Sequence, residues 1–144
     1  MKESVSPKNP ERSARKLFAA LDRHDLDKAT ATVAPNFRMT DPDNPEPLRG
    51  RVAYRKLWES LFKAFPDLKV RILNVVTEGD ELAAEIMATG TFKGPLGNPP
   101  NAVPPTGRRV ELRWAAFGRV NSKGLITEGR VYSPGIIKQL GLET

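Results

Sequence analysis

The stretch that most limits how this chain can fold runs from Arg51 to Phe65. There Tyr54, Leu57, Trp58, Leu61, Phe62 and Phe65 keep helical spacing until Pro66 stops the helix. A helix with so apolar a side needs a cover, and the sequence after it changes period. Leu68–Thr77, Glu81–Thr91, Val110–Val120 and Leu125–Tyr132 are rich in Val, Ile, Leu and Thr and are divided by turn residues, which predicts four consecutive antiparallel strands. Glu78-Gly79-Asp80 and Asn121-Ser122-Lys123-Gly124 are short enough for hairpins, whereas Lys93–Gly107 is a long loop with five prolines.

Ahead of the long helix, Asn9-Pro10-Glu11 reads as an N-cap, a proline at the first helical position and an acid at the positive end of the dipole. Ala14, Leu17, Phe18 and Leu21 then form one apolar stripe down a helix ending near Arg23. A short second helix is expected over Asp25–Val33 with Asp25 as its cap, then a brief extended piece over Phe37–Thr40, a proline-rich loop to Gly50, and a terminal helix around Ile136–Leu140. At 144 residues and 39% hydrophobic content the chain suits one core. The reading is an α+β domain over residues 10–144, with about three N-terminal helices on one face of a curved antiparallel sheet and a loose tail over residues 1–9. The opening residues carry no apolar run, so neither a secretory signal nor a membrane span is expected, and the protein is expected to be cytoplasmic.

Chemistry narrows by absence. Without Cys and with His24 as the sole histidine, thiolate sites, disulfides and multi-histidine metal sites are excluded, so no metal or cofactor is expected. The net charge of +6 is scattered rather than clustered, which argues against nucleic acid as a partner. His24 itself stands at the end of the first helix, where a capping or solvent-exposed residue is expected.

Phe65-Pro66-Asp67, Thr89-Gly90-Thr91 with Gly94, Pro104-Pro105-Thr106-Gly107-Arg108 and Gln139-Leu140-Gly141 occur in an order that resembles the SnoaL-like polyketide cyclase family of the NTF2-like superfamily. The resemblance implies a cone, a strongly bent antiparallel sheet wrapped by helices around an apolar pocket, often paired as a homodimer through the outer face of the sheet. It also implies intramolecular aldol ring closure without metal or cofactor. In that family an aspartate on the last strand, ahead of Gln-Leu-Gly, works with a histidine just after Thr-Gly-Thr. Here the histidine position holds Phe92, which cannot carry a proton, and Gly129–Gly135 has no carboxylate.

Aldol closure or isomerisation requires a base near a carbon next to a carbonyl, and burial in an apolar cavity makes a carboxylate a better base. Strand alternation puts Ala84, Ile86 and Ala88 on the face marked by Phe92, and groups Ile126, Glu128, Arg130 and Tyr132 on one face of the last strand. Glu128 and Tyr132 are therefore catalytic candidates with Arg130 beside them; a rim ion pair and a core tyrosine are the plainer alternatives. Asp41 is the second carboxylate, placed where relatives of the ketosteroid isomerase type carry their base, although Asp41-Pro42 is also a good turn sequence. Trp58, Phe65, Trp114 and Phe117 complete the expected pocket, and the sequence leaves open which face of the third strand, Val110/Leu112/Trp114/Ala116 or Glu111/Arg113/Ala115/Phe117, turns inward. Two functions stand at this stage: a cofactor-free cyclase or isomerase of a polyketide-like or polycyclic carbonyl compound, or a non-catalytic protein of the same fold that holds a small apolar molecule or acts as a dimeric adaptor.

Overall fold

The structure, a computed structural model, describes residues 9–42, 44–97, 99–134 and 140–141. The expected tail over residues 1–9 lies outside these residues except for Asn9, and so does the expected terminal helix except for Leu140. In chain order the elements are α1 (Pro10–Asp22), α2 (Leu26–Thr32), β1 (Val33–Asp41), β2 (Asn44–Arg49), α3 (Gly50–Ala64), β3 (Lys69–Glu78), β4 (Glu81–Thr91), β5 (Arg109–Val120) and β6 (Ile126–Tyr132). Among the described residues no helix is long and apolar enough to cross a membrane.

Both N-terminal helices begin on the caps that the sequence predicts. The Asn9 side chain accepts from the Arg12 N–H at 3.0 Å, and the Asp25 side chain accepts from the Lys28 N–H at 3.1 Å. At the end of α1 the Asp25 N–H donates to the Ala20 carbonyl and the His24 N–H to that of Leu21, the bond pattern of a Schellman cap. His24 occupies the left-handed position of that cap, with φ 60°.

The six strands form one sheet in the order β2-β1-β6-β5-β4-β3. From β3 to β6 every neighbour is antiparallel and joined in sequence, as expected. Two features correct the sequence reading. The proline-rich segment before Gly50 is a strand rather than a loop: β2 sits at the sheet edge, where a proline costs no ladder bond on its unpaired side. The sheet is also not wholly antiparallel, since β1 runs parallel to β6. Hairpins dictate direction only between strands that they join, and β1 and β6 are joined by none.

One irregularity positions everything that follows. In the β5–β6 ladder Val120 pairs with Ile126 but Arg119 pairs with Glu128, so Thr127 is an extra residue on β6. A bulge of this kind reverses the facing of all residues beyond it. Ile126 is buried with Val120 and Val33, whereas beyond the bulge Gly129 and Val131 take over the inner face.

Helices α1 and α3 supply Leu17, Leu21, Tyr54 and Trp58 to a core whose sheet side includes Val70, Ala84, Ile86, Val110 and Ile126. The segments that carried the family resemblance act as clamps around this core. The N–H groups of Lys93 and Gly94 both donate to the Ala64 carbonyl, and a side chain at Gly94 would overlap the Lys63 carbonyl oxygen. The Thr106 hydroxyl donates to the Leu140 carbonyl, tying the proline-rich loop to the C-terminal segment.

Candidate functional site

Between α1, α3 and the inner face of the sheet lies a cavity of about 350 Å³ with an almost wholly apolar lining. Its place follows from the side-chain pattern. On the inner face β4 offers Ala88 and Leu82, and β6 beyond the bulge offers Gly129 and Val131, so small and medium residues leave a gap under the aromatic side of α3. The strand face that the sequence left open is decided: Val110, Leu112, Trp114 and Ala116 line the cavity, and Arg113 and Glu111 are exposed on the other face.

Of the expected pocket residues, Trp58, Phe65, Ala88, Trp114 and Phe117 border the cavity. Ile86 and Phe92 do not. Both are 0% exposed and pack inside the core, where the Phe92 ring lies 5.5 Å from that of Phe65. Phe117 borders the cavity from a residue that is itself 40% exposed, with its ring edge-on to Tyr132 at 6.0 Å and beneath the Arg130 guanidinium at 5.3 Å.

The expected polar group on β6 is turned the other way by the bulge at Thr127. Ile126 faces in, but Glu128, Arg130 and Tyr132 pair with Arg119, Phe117 and Ala115 on the outer face. Glu128 borders the cavity, yet its carboxylate lies 3.5 Å from Arg119 Nε and 3.5 Å from Arg130 Nη1. Arg119 in turn holds Asp80 at 2.9 Å and Glu81, so this is an ion network along the outside of the sheet rather than a base aimed at a ligand. Tyr132 is 47% exposed and does not line the cavity.

Asp41 comes out differently. Phe37 and Met39 line the cavity from β1, and Asp41 stands two residues beyond Met39 at the end of that strand without itself lining the cavity. The register shift between β1 and β2 there adds its extra residues to β2, so β1 keeps its alternation. Asp41 is half-buried and has an interaction partner of its own.

Two polar groups lie deep in the wall, of which Trp58 was expected in the pocket and Tyr54 was not, because helical spacing alone marks Tyr54 as core. Tyr54 is 4% exposed, with its ring 4.9 Å from that of Phe37, and burial pushes its phenol far above the ordinary tyrosine range. One turn along α3, the buried Trp58 indole N–H has no hydrogen-bond partner among the described residues, although it lies close enough to Tyr54 to offset part of that rise. The arrangement is an apolar chamber with a buried phenol and an indole N–H in its wall. It can bind a hydrophobic molecule that carries an oxygen acceptor. Among the described residues no three His, Asp or Glu side chains gather where they could hold a metal ion.

The sequence profile described as the SnoaL-like domain matches residues 14–129. A candidate SnoaL-like polyketide cyclase from Jannaschia sp. CCS1 superposes with a TM-score of 0.80 at 23% identity, covering 99% of this chain and 100% of that one. IdmH, a candidate polyketide cyclase from Streptomyces antibioticus, gives a TM-score of 0.75 at 27% identity over 92% of this chain and 99% of that one. AclR, a candidate hydroxylase from Streptomyces galilaeus, gives 0.75 at 25% identity over 94% and 97%. No curated protein sequence matches. The α+β, NTF2-like architecture expected from the sequence is therefore the one observed.

Proposed function

The chain belongs to the SnoaL-like domain family, and from that membership we propose a cofactor-free cyclase or isomerase that moves a proton on a polyketide-like or polycyclic carbonyl compound. The observation that carries this reading is the buried Tyr54 phenol in the wall of the apolar cavity, with Asp41 at the end of β1, two residues beyond the lining residue Met39. Asp41 removes the proton from the carbon next to a carbonyl. Tyr54 donates a hydrogen bond to the oxygen as negative charge builds on it, which stabilises the enolate in an apolar site. The apolar walls hold the ring system and strengthen both interactions by lowering the local dielectric. The same reading includes a homodimer through the outer face of the sheet, where Val76, Phe117 and Tyr132 are exposed; a monomer in sedimentation at micromolar concentration would remove that part.

The test is deuterium exchange from D₂O into enolisable polycyclic ketones, followed by NMR. Asp41→Asn and Tyr54→Phe should each slow exchange by about a hundredfold, while Glu128→Gln, on the outer ion network, leaves the rate unchanged. A specific observation favours the second function. Neither position where relatives carry the acid-base pair offers one here, since Phe92 is sealed in the core and Gly129–Gly135 has no carboxylate. Saturable ligand binding with no exchange in the wild-type protein would replace the enzyme reading with that of a small-molecule carrier.

A further inference from the structure

Tyr54 and Trp58 stand four residues apart on α3, so they share one face of the helix, and both line the apolar cavity. Their rings lie 6.4 Å apart at an interplanar angle of 67°. On either side of the pair is hydrocarbon: the Phe37 ring sits 4.9 Å from that of Tyr54, and the Phe62 ring 5.7 Å from that of Trp58. Neither phenylalanine ring offers a polar atom. Tyr54 and Trp58 are only 4% and 7% exposed, so their polar groups find hydrogen bonds inside the protein or in a ligand.

An indole N–H can only donate, whereas a phenol both donates and accepts. A bond between the two therefore has one direction, from Trp58 Nε1 to the Tyr54 oxygen, and it leaves the phenol's own hydrogen for a third group. In the structure that bond is not closed, since the indole N–H has no hydrogen-bond partner among the described residues. The two groups are nevertheless near neighbours: burial raises the Tyr54 phenol, and the Trp58 side chain offsets part of that rise. A buried donor left open is costly, and a ligand can satisfy it through its neighbour. When a ligand oxygen accepts from the phenol, the phenol oxygen becomes a stronger acceptor, because hydrogen bonds in a chain polarise one another.

We propose that Trp58 is a positioning residue for Tyr54: its indole N–H donates to the phenol oxygen when the phenol donates to a ligand's carbonyl oxygen. The cavity then prefers a ketone to a hydrocarbon of the same shape, because only the ketone closes both bonds. With Tyr54 as the donor to a bound carbonyl, as in the function proposed above, Trp58 acts through the phenol and does not itself touch the ligand oxygen. The two-bond chain strengthens as negative charge builds on that oxygen, so it favours the enolate over the ketone from which it forms.

Trp58 and Trp114 are the two tryptophans of the chain and both line the cavity, so NMR of the indole N–H groups reads the relay and the filling of the cavity together. The probes are α-tetralone and its hydrocarbon counterpart tetralin. Both should shift the Trp114 signal, and only α-tetralone should move the Trp58 indole proton downfield. Tyr54→Phe should abolish the Trp58 shift while Trp114 still reports binding. A Trp58 shift that survives this substitution would mean that the indole meets the ligand directly, which overturns the relay. Trp58→Phe should lower the preference for α-tetralone over tetralin about fivefold, whereas Phe62→Leu, which removes another ring packed on Trp58, should leave it unchanged. An equal loss in both variants would reduce Trp58 to packing and overturn the proposal. All of these readouts report binding, so a protein that catalyses no exchange loses the enzyme reading and keeps the relay. If neither probe moves Trp114, the cavity is not the ligand site and the relay falls with it.

Discussion

The Asp67 carboxylate holds Thr91 by two bonds at once, accepting its backbone N–H at 2.7 Å and its hydroxyl at 2.8 Å. This fastens the turn after α3 to the end of β4. Between the two, Gly90 lies so close to Phe65 that an added Cβ would stand 3.2 Å from the Phe65 Cβ. The Thr91 N–H, foremost among the causes, holds the Asp67 carboxyl below the usual carboxylate range.

Asp67→Ala should therefore lower stability by about 1 kcal/mol, a modest figure because the pair is exposed, read as a lower urea midpoint at neutral pH. The sign with pH is set by the direction of the shift. A carboxyl whose folded pKa is depressed stabilises fully above its unfolded pKa and loses that contribution as pH falls through the folded value. The wild-type and Asp67→Ala curves should run parallel at neutral pH and converge below about pH 4. A gap that stays constant into strong acid would show that the ionised carboxylate is not what stabilises the turn.

His24 combines a cost with two gains. Its φ of 60° is strained for a residue with a side chain, but its Nε2 lies 2.7 Å from the Leu68 carbonyl oxygen and its ring stacks on Phe62 at 3.9 Å and 11°. The expected capping position is correct, and the ring packs against α3 instead of standing free in solvent. His24→Gly gives up both contacts but relieves roughly 1 kcal/mol of backbone strain, whereas His24→Ala gives up the contacts and keeps the strain. His24→Ala should thus be the less stable of the two in thermal unfolding, and the reverse order would mean that backbone conformation has little weight at this cap.

Restoring a histidine at position 92 should not restore chemistry. Phe92 is 0% exposed, and its N–H donates to the Arg108 carbonyl while its own carbonyl accepts from the Gly107 N–H, both at 2.8 Å. Phe92→His places an imidazole in a sealed apolar site and should destabilise by about 2 kcal/mol or more. It should raise neither ligand affinity nor exchange rate; a gain in either would mean that the core opens to the cavity at this position.

Much of the architecture was legible along the chain because the signals for it are local. The Asn9 and Asp25 caps, the apolar stripe of α3 and its stop at Pro66, and the alternation of β4 and β5 each act within one or two turns of backbone. What could not be read was everything defined by a partner distant in sequence. Whether prolines form a loop or an edge strand depends on β1 lying beside them, and the parallel direction of β1 and β6 depends on strands that no hairpin links. Tyr54 looks like any core aromatic until the sheet leaves a cavity against it. The extra residue at Thr127 exists only in relation to β5. A single unpaired residue changes no composition and no local propensity, yet it reverses the parity of every side chain after it, so the sequence determined which residues would form β6 and only the sheet decided which of them would face the cavity.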